Sequence, residues 1–197
     1  MSRSAIVLAG GASRRFRSDK LVARIDGATL VERSISALAD LVDEIVVVIA
    51  PGREAPQLAP SGPVAPIRFV TDVVPFGGPL VGLRTGLAAA AGERVLVIGG
   101  DMPSLVPAVL ALLLGRPPAA LADSTGALRP LPCSLERQAA LESAEALLAG
   151  GERRLRALLA TVATTAVPWP DWQALDPAGL SLIDIDVPGD LHRTPRR

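Results

Sequence analysis

Four short, mainly apolar runs constrain this chain more than any other feature. They occupy residues 4–9, 44–49, 67–71 and 94–98, and each is followed within two residues by glycine, proline or aspartate. A continuous apolar run of this length suits a strand covered on both faces. Between the runs lie segments with helical spacing. Residues 29–41 place Leu30, Val31, Ile35, Leu38 and Leu41 on one face. Residues 79–91 open on Pro79, at home in a first helical turn, and 105–114 is a third such segment. Residues 57–66, rich in Pro, Ser and Gly, read as a loop.

Strand and helix thus alternate through roughly the first 115 residues, which predicts a doubly wound, mostly parallel α/β sheet. The second half is less regular. Strands are expected at 119–122, 131–135, 161–167 and 181–185. Helices are expected at 138–149 and 152–160, separated by Gly150-Gly151. No long linker and no internal repeat divides the chain, so 1–197 reads as a single domain.

Composition then removes several classes of function. With 197 residues, 49% of them hydrophobic, the chain can bury a real core. Twenty Lys and Arg balance twenty Asp and Glu, without the basic excess that nucleic-acid binding favours. One cysteine, Cys133, rules out an internal disulfide and a cysteine-based zinc site. One histidine, His192, lies near the C-terminus and argues against a Ser-His-Asp mechanism. There is no secretory signal and no apolar run of membrane-spanning length, so the sequence predicts a cytoplasmic protein off the membrane.

Doubly wound sheets bind ligands beyond the carboxyl ends of their strands. Gly10-Gly11 follows the first run, and Gly99-Gly-Asp-Met-Pro103 follows the fourth. Asp72 follows the third, ahead of Phe76-Gly-Gly-Pro-Leu-Val-Gly82. Gly10 and Gly11 lack side chains, so their backbone N–H groups can come close to phosphate oxygens, or they simply make a tight turn. The loop is neither a Walker sequence nor a dinucleotide fingerprint. Arg15 and Lys20 can neutralise a triphosphate and the charge developing on a leaving pyrophosphate. Arg14 and Arg17 read equally as a solvated loop. Asp101 can hold Mg²⁺ against phosphates or cap the following helix, and Asp72 has the same two readings. Gly77 and Gly78 leave backbone open to a flat base or simply join loop to helix.

Together these segments resemble a known family. Leu8-Ala-Gly-Gly-Ala-Ser-Arg-Arg-Phe-Arg-Ser-Asp-Lys20 is similar to the nucleotidyltransferase signature Leu-Ala-Gly-Gly-x-Ser-x-Arg-Met-Gly-x-Asp-Lys. Asp72, Gly77-Gly-Pro-Leu-Val-Gly82 and Gly100-Asp-Met-Pro103 follow in the family's order and spacing. The pattern resembles the molybdenum cofactor guanylyltransferases, the MobA-like group. Residues 150–159, with Arg154-Leu-Arg156, and Asp184-Ile-Asp-Val-Pro-Gly-Asp-Leu191 resemble its C-terminal part.

The resemblance implies a Rossmann-like nucleotidyltransferase fold that transfers GMP from GTP to molybdopterin. Leu8, Ala9, Gly10, Gly11, Asp72, Gly77 and Gly78 would bind the nucleotide. Lys20, Arg15 and Asp101 would be catalytic, and Lys20 and Asp101 would touch the nucleotide as well. Asp101 would carry Mg²⁺. Partners would be GTP, molybdopterin and, transiently, molybdoenzymes or their chaperones, without nucleic acid or membrane.

The chain departs from the pattern in three places. Phe16 and Arg17 replace Met and Gly. Ile49 stands where guanylyl members often carry asparagine. Asp184 and Asp186 replace common asparagines near the pterin, which makes Asp186 a candidate second metal ligand. Cytidylyl transfer, transfer to another small phosphate, and a non-catalytic cofactor-binding accessory role are the alternatives.

Overall fold

The computed structural model describes residues 1–10, 23–59, 65–72, 77–187 and 189–190. The chain begins with strand β1 (Arg3–Ala9) and a small hairpin, β2 (Arg24–Ile25) and β3 (Ala28–Thr29). Helix α1 (Leu30–Ser36), β4 (Glu44–Ile49), β5 (Ile67–Thr71), α2 (Pro79–Ala89), β6 (Arg94–Gly99) and α3 (Pro107–Leu114) follow. The second half holds β7 (Ala119–Ala122), β8 (Leu128–Glu136), α4 (Arg137–Ala149), α5 (Leu155–Thr161), β9 (Thr165–Val167) and α6 (Trp169–Trp172). A 3₁₀ turn spans Leu180–Leu182.

Seven strands form one sheet in the order β5-β4-β1-β6-β8-β7-β9. The quartet β5-β4-β1-β6 is parallel throughout, and β9 runs parallel to β7. Strand β8 is antiparallel to both of its neighbours, with Val97 opposite Cys133 and Ala120 opposite the same residue. The mostly parallel α/β sheet expected from the sequence is therefore present, with one reversal inside it.

Alternation along β1 shows why both faces must be covered. Ala5, Val7 and Ala9 join Ile45, Val47, Ile49, Leu96 and Ile98 against α1 and α3. Ile6 joins Val46, Val48, Val95 and Val97 against Leu80, Leu83 and Leu87 of α2, with α4 and α5 beyond. Burying each such Val, Leu or Ile is worth about 1.5–3 kcal/mol relative to leaving it in water. Helix α2 approaches the sheet closely because it carries glycine there. A Cβ on Gly86 would lie 2.6 Å from Ile6 Cγ2 and 3.1 Å from Val48 Cγ2.

At the amino ends of the strands, polar groups close on one another. Glu44 accepts hydrogen bonds from Ser4 Oγ at 2.7 Å, from the Ala91 N–H at 2.6 Å and from Arg68 at 3.0 Å. The Gly92 N–H donates to Ser4 Oγ at 2.7 Å, and Arg68 also donates to the Ala89 carbonyl at 2.8 Å. Burial pushes the Glu44 carboxyl up, but the hydrogen bonds from Ala91, Ser4 and Arg68 outweigh it and hold the group below the usual carboxylate range.

Several expected boundaries move, each for a local reason. Helix α1 stops at Ser36 rather than continuing to 41, and the chain goes on in tight turns with Asp40 at φ 62°. Its start is the expected one, because Thr29 and Glu32 form a capping box. Helix α3 starts at Pro107, two residues later than expected, because proline keeps the residue before it out of the helical region and Val106 is extended at φ −97° and ψ 117°. Residues 181–185 are not a strand. Gly179 adopts φ 66°, and Asp176 accepts the N–H groups of Leu180 and Ser181 at 3.0 and 2.7 Å, which winds the 3₁₀ turn. In the 161–167 segment, α5 takes Thr161 and the strand is confined to Thr165–Val167.

Candidate nucleotide site

The connection from β1 leads to β4 on one side of it, and β6 returns on the other, so the direction of winding reverses between β1 and β6. The crevice at such a point is where open α/β sheets take their ligands. Here Leu8 lies opposite Gly99 in the register, and the Gly100 N–H donates to the Leu8 carbonyl at 3.0 Å. Gly10 leaves β1 beside Ala50, which follows β4. Gly11, Arg14, Arg15, Phe16, Arg17 and Lys20 lie outside the described residues.

Asp101 sits in the tight turn that follows β6. Its carboxylate folds back over Gly99, so a side chain at that position would displace it. The Gly99 N–H points at the Met102 sulfur, 3.4 Å away, and Met102 is buried, so the turn is anchored in the core. Pro103 then meets α1, where Arg33 Nε lies 3.5 Å from its carbonyl.

The C-terminal segment returns to the same turn. The Ile185 N–H donates to the Asp101 carbonyl at 3.0 Å, and the Ile185 side chain is fully buried with Ile25 and Leu30. This places the exposed residues Asp184 and Asp186 on either side of a backbone bond to Asp101. The Asp186 and Val187 N–H groups donate to Asp190 at 3.1 and 3.0 Å. Among the described residues, no group of three His, Cys, Asp or Glu side chains gathers as a metal cluster.

Asp72 is held from two directions. Its N–H donates to the Ile49 carbonyl at 2.9 Å, and Thr85 Oγ1 of α2 donates to its carboxylate at 3.1 Å. A Cβ on Gly82 would lie 3.5 Å from Asp72 Oδ2 and 3.8 Å from Leu8 Cδ2, so Gly82 brings these two candidate residues against one helix. Ile49 itself turns its side chain into the core, at 5% exposure, and contributes its carbonyl.

Gly78 is the N-cap of α2 at φ 96°, a region that favours glycine. A Cβ there would meet Arg153 Cβ at 3.0 Å and the Arg153 carbonyl at 3.2 Å. That carbonyl accepts the Leu80 N–H at 3.2 Å, so the turn after α4 caps α2. Burial pushes the Cys133 thiol up to about 12, so no thiolate nucleophile is present there near neutral pH.

Sequence reasoning missed Thr85, Ile185 and the Glu152–Arg153 turn. Gly150-Gly151 marked a helix end in the sequence, but nothing in it pointed to the start of α2.

A winding reversal with glycines beside it and carboxylates on the flanking turns marks a doubly wound α/β protein with its ligand crevice at this edge. A molybdopterin-guanine dinucleotide biosynthesis protein A from Archaeoglobus fulgidus has the same fold, with a TM-score of 0.74, 22% identity and coverage of 96% of this chain and 95% of that one. The chain belongs to the MobA-like NTP transferase domain family, whose model matches residues 5–166. A Chloroflexus aggregans protein named "Probable molybdenum cofactor guanylyltransferase" is 38% identical over 97% of this chain and 92% of its own length. The "Molybdenum cofactor guanylyltransferase" of Burkholderia vietnamiensis is 35% identical over 88% of this chain and 89% of its own. Among the described residues, no helix is long and apolar enough to cross a membrane.

Proposed function

We propose that this protein, acting as one domain over residues 1–197, transfers GMP from GTP to the terminal phosphate of molybdopterin. An oxygen of the acceptor phosphate attacks the α-phosphorus of GTP. The bond from that phosphorus to the bridging oxygen breaks, and pyrophosphate leaves with the electron pair. The product is a molybdopterin guanine dinucleotide. The attacking oxygen is already anionic, so the protein needs no general base. Its task is positioning and charge stabilisation.

The observation that carries this reading is likeness over nearly full length to relatives named for guanylyl transfer. Leu8, Ala9, Gly10 and Gly11 would hold the triphosphate, with Arg15 and Lys20 offsetting its charge. Asp72, Gly77 and Gly78 would line the nucleotide site. Asp101 offers a hard carboxylate oxygen on a turn anchored by Met102, and Asp186 stands next to that turn through Ile185. This donor set fits Mg²⁺, which takes one or two carboxylates and leaves its remaining positions to phosphate oxygens and water. When bound, the ion would screen the phosphates and the charge that builds on the leaving group.

Calorimetric titration with GTP and with CTP, each with and without Mg²⁺, tests the reading. Mg²⁺-dependent binding with preference for GTP is expected. Preference for CTP would move the assignment to cytidylyl transfer. A GTP-binding protein that forms no dinucleotide with molybdopterin would instead be an accessory protein or act on another phosphate.

A further inference from the structure

We propose that the turn at residues 150–154 is a positioning device for the Gly77–Gly78 segment, with Glu152 as the residue that locks it. The inference rests on the reading of Gly77 and Gly78 as part of the nucleotide site. Helix α2 has no side-chain N-cap, because Gly78 has nothing to offer. A helix start leaves N–H groups in need of acceptors. The structure supplies one from another element, the Arg153 carbonyl to the Leu80 N–H. The conformation of Gly78 and the placement of this turn are therefore coupled by contact as well as by a hydrogen bond.

The turn is fixed on its other side by the end of α4. Gly150 caps that helix and Gly151 follows at φ 86°. The Gly151 N–H donates to Leu148 and the Glu152 N–H to Leu147, both at 3.0 Å, which is the Schellman pattern. Arg153 adds its guanidinium to the Leu148 carbonyl at 3.1 Å and to the Glu152 carbonyl at 2.8 Å.

Glu152 then ties the turn together. One carboxylate oxygen accepts the N–H groups of Arg153 and Arg154 at 2.8 and 2.9 Å and Arg154 Nε at 2.9 Å. The other accepts Arg154 Nη2 at 2.6 Å. The Arg154 guanidinium and these backbone N–H groups hold the Glu152 carboxyl down to about 2, so the lock stays charged across the physiological range. Gly150-Gly-Glu-Arg-Arg154 thus joins the end of α4 to the start of α2. No atom of Glu152 needs to touch a ligand for it to affect one.

Glu152→Ala and Glu152→Gln, compared with wild type, test this. The readouts are calorimetric GTP and CTP affinity with Mg²⁺, thermal midpoint, and hydrogen exchange at the Leu80 amide. Glu152→Ala should bind nucleotide about fivefold more weakly and exchange the Leu80 amide faster. In steady state the change should fall on the nucleotide KM and spare kcat. Glu152→Gln keeps an acceptor for the two backbone N–H groups and should lose about twofold. Wild-type affinity and wild-type Leu80 exchange in the alanine variant would overturn the inference while leaving the nucleotide site intact. Should the alanine variant not fold, the same result in Glu152→Gln overturns it. Binding of neither nucleotide by wild type would instead remove the reading beneath the inference, and the inference with it.

Discussion

At the amino edge of the sheet, Ser4, Glu44 and Arg68 satisfy one another and the backbone of the α2–β6 connection. At the carboxyl edge, the same strands run out into Gly10 and Gly99-Gly100, with Asp72 and Asp101 on the flanking turns. Between the two edges the strands are buried in the same two hydrophobic clusters. What differs is the use of polar groups. One edge closes them into a network that holds the ends of β1, β4 and β5 together. The other ends in glycines and holds Asp72 through Thr85 and the turn that carries Asp101 through Met102 and Ile185. On the proposed reading, stability and chemistry lie at opposite ends of the same strands, and substitutions should separate them.

The largest separation is expected from Asp101→Asn. Turnover should fall by at least about a hundredfold, the scale seen when one preorganised electrostatic contact is lost. The urea midpoint should barely move. Near-normal turnover in a steady-state assay would remove Asp101 from the mechanism. The mirror-image experiment is Glu44→Gln. It weakens charge-assisted hydrogen bonds and should cost about 2 kcal/mol in urea unfolding, with specific activity per folded molecule unchanged. Loss of activity beyond the unfolded fraction would show that the two edges are not independent.

Acid sharpens the same contrast. Glu44 titrates below its ordinary 4.5 in the folded protein. Its contribution is therefore complete above the unfolded value and disappears as pH falls through the lower folded value. The stability gap between wild type and Glu44→Gln should be widest near neutral pH and shrink as pH falls below 4.5, the ordinary value. A gap that persists in acid would mean that the carboxylate's charge is not what holds this edge. A smaller effect than these is expected of Thr85→Val, which removes one hydrogen bond to Asp72 and preserves shape. Nucleotide affinity should drop about threefold to fivefold with kcat retained. An unchanged affinity by calorimetry would take Asp72 out of the nucleotide site.

The parallel half of the sheet was legible because its signal is local. Each buried strand is an apolar run, and each crossover carries its own punctuation. Gly10, Asp72 and Asp101 were legible for the same reason, since a doubly wound sheet tells which end of a run to inspect. Strand β8 was harder. Pro130 interrupts its leading half, and the sequence supported only 131–135 where the strand spans Leu128–Glu136. Residues 181–185 read as a short strand, yet Asp176 accepts the N–H groups of Leu180 and Ser181 and winds a turn there. Thr85, Ile185 and Glu152 were illegible because their roles lie in contacts between distant segments. A threonine in a helix, an isoleucine between aspartates and a glutamate after two glycines are ordinary in sequence. Packing α2 against β5 and α4 makes the first and third specific, and the return of the C-terminal segment to Asp101 does so for the isoleucine.

The reversal of β8 has a further consequence, which is one of parity. After a parallel strand, a helix begins at the carboxyl edge and finishes at the amino edge, as α2 does. Strand β8 runs the other way, so α4 begins at the amino edge, where the Arg137 N–H meets the Glu93 carbonyl beside the start of β6. It must then finish at the carboxyl edge, and that delivers Arg153 to the start of α2. A single change of direction in the sheet thus decides which edge the end of a later helix reaches. Had β8 run with its neighbours, the Glu152 turn would have arrived at the edge that Glu44 already closes.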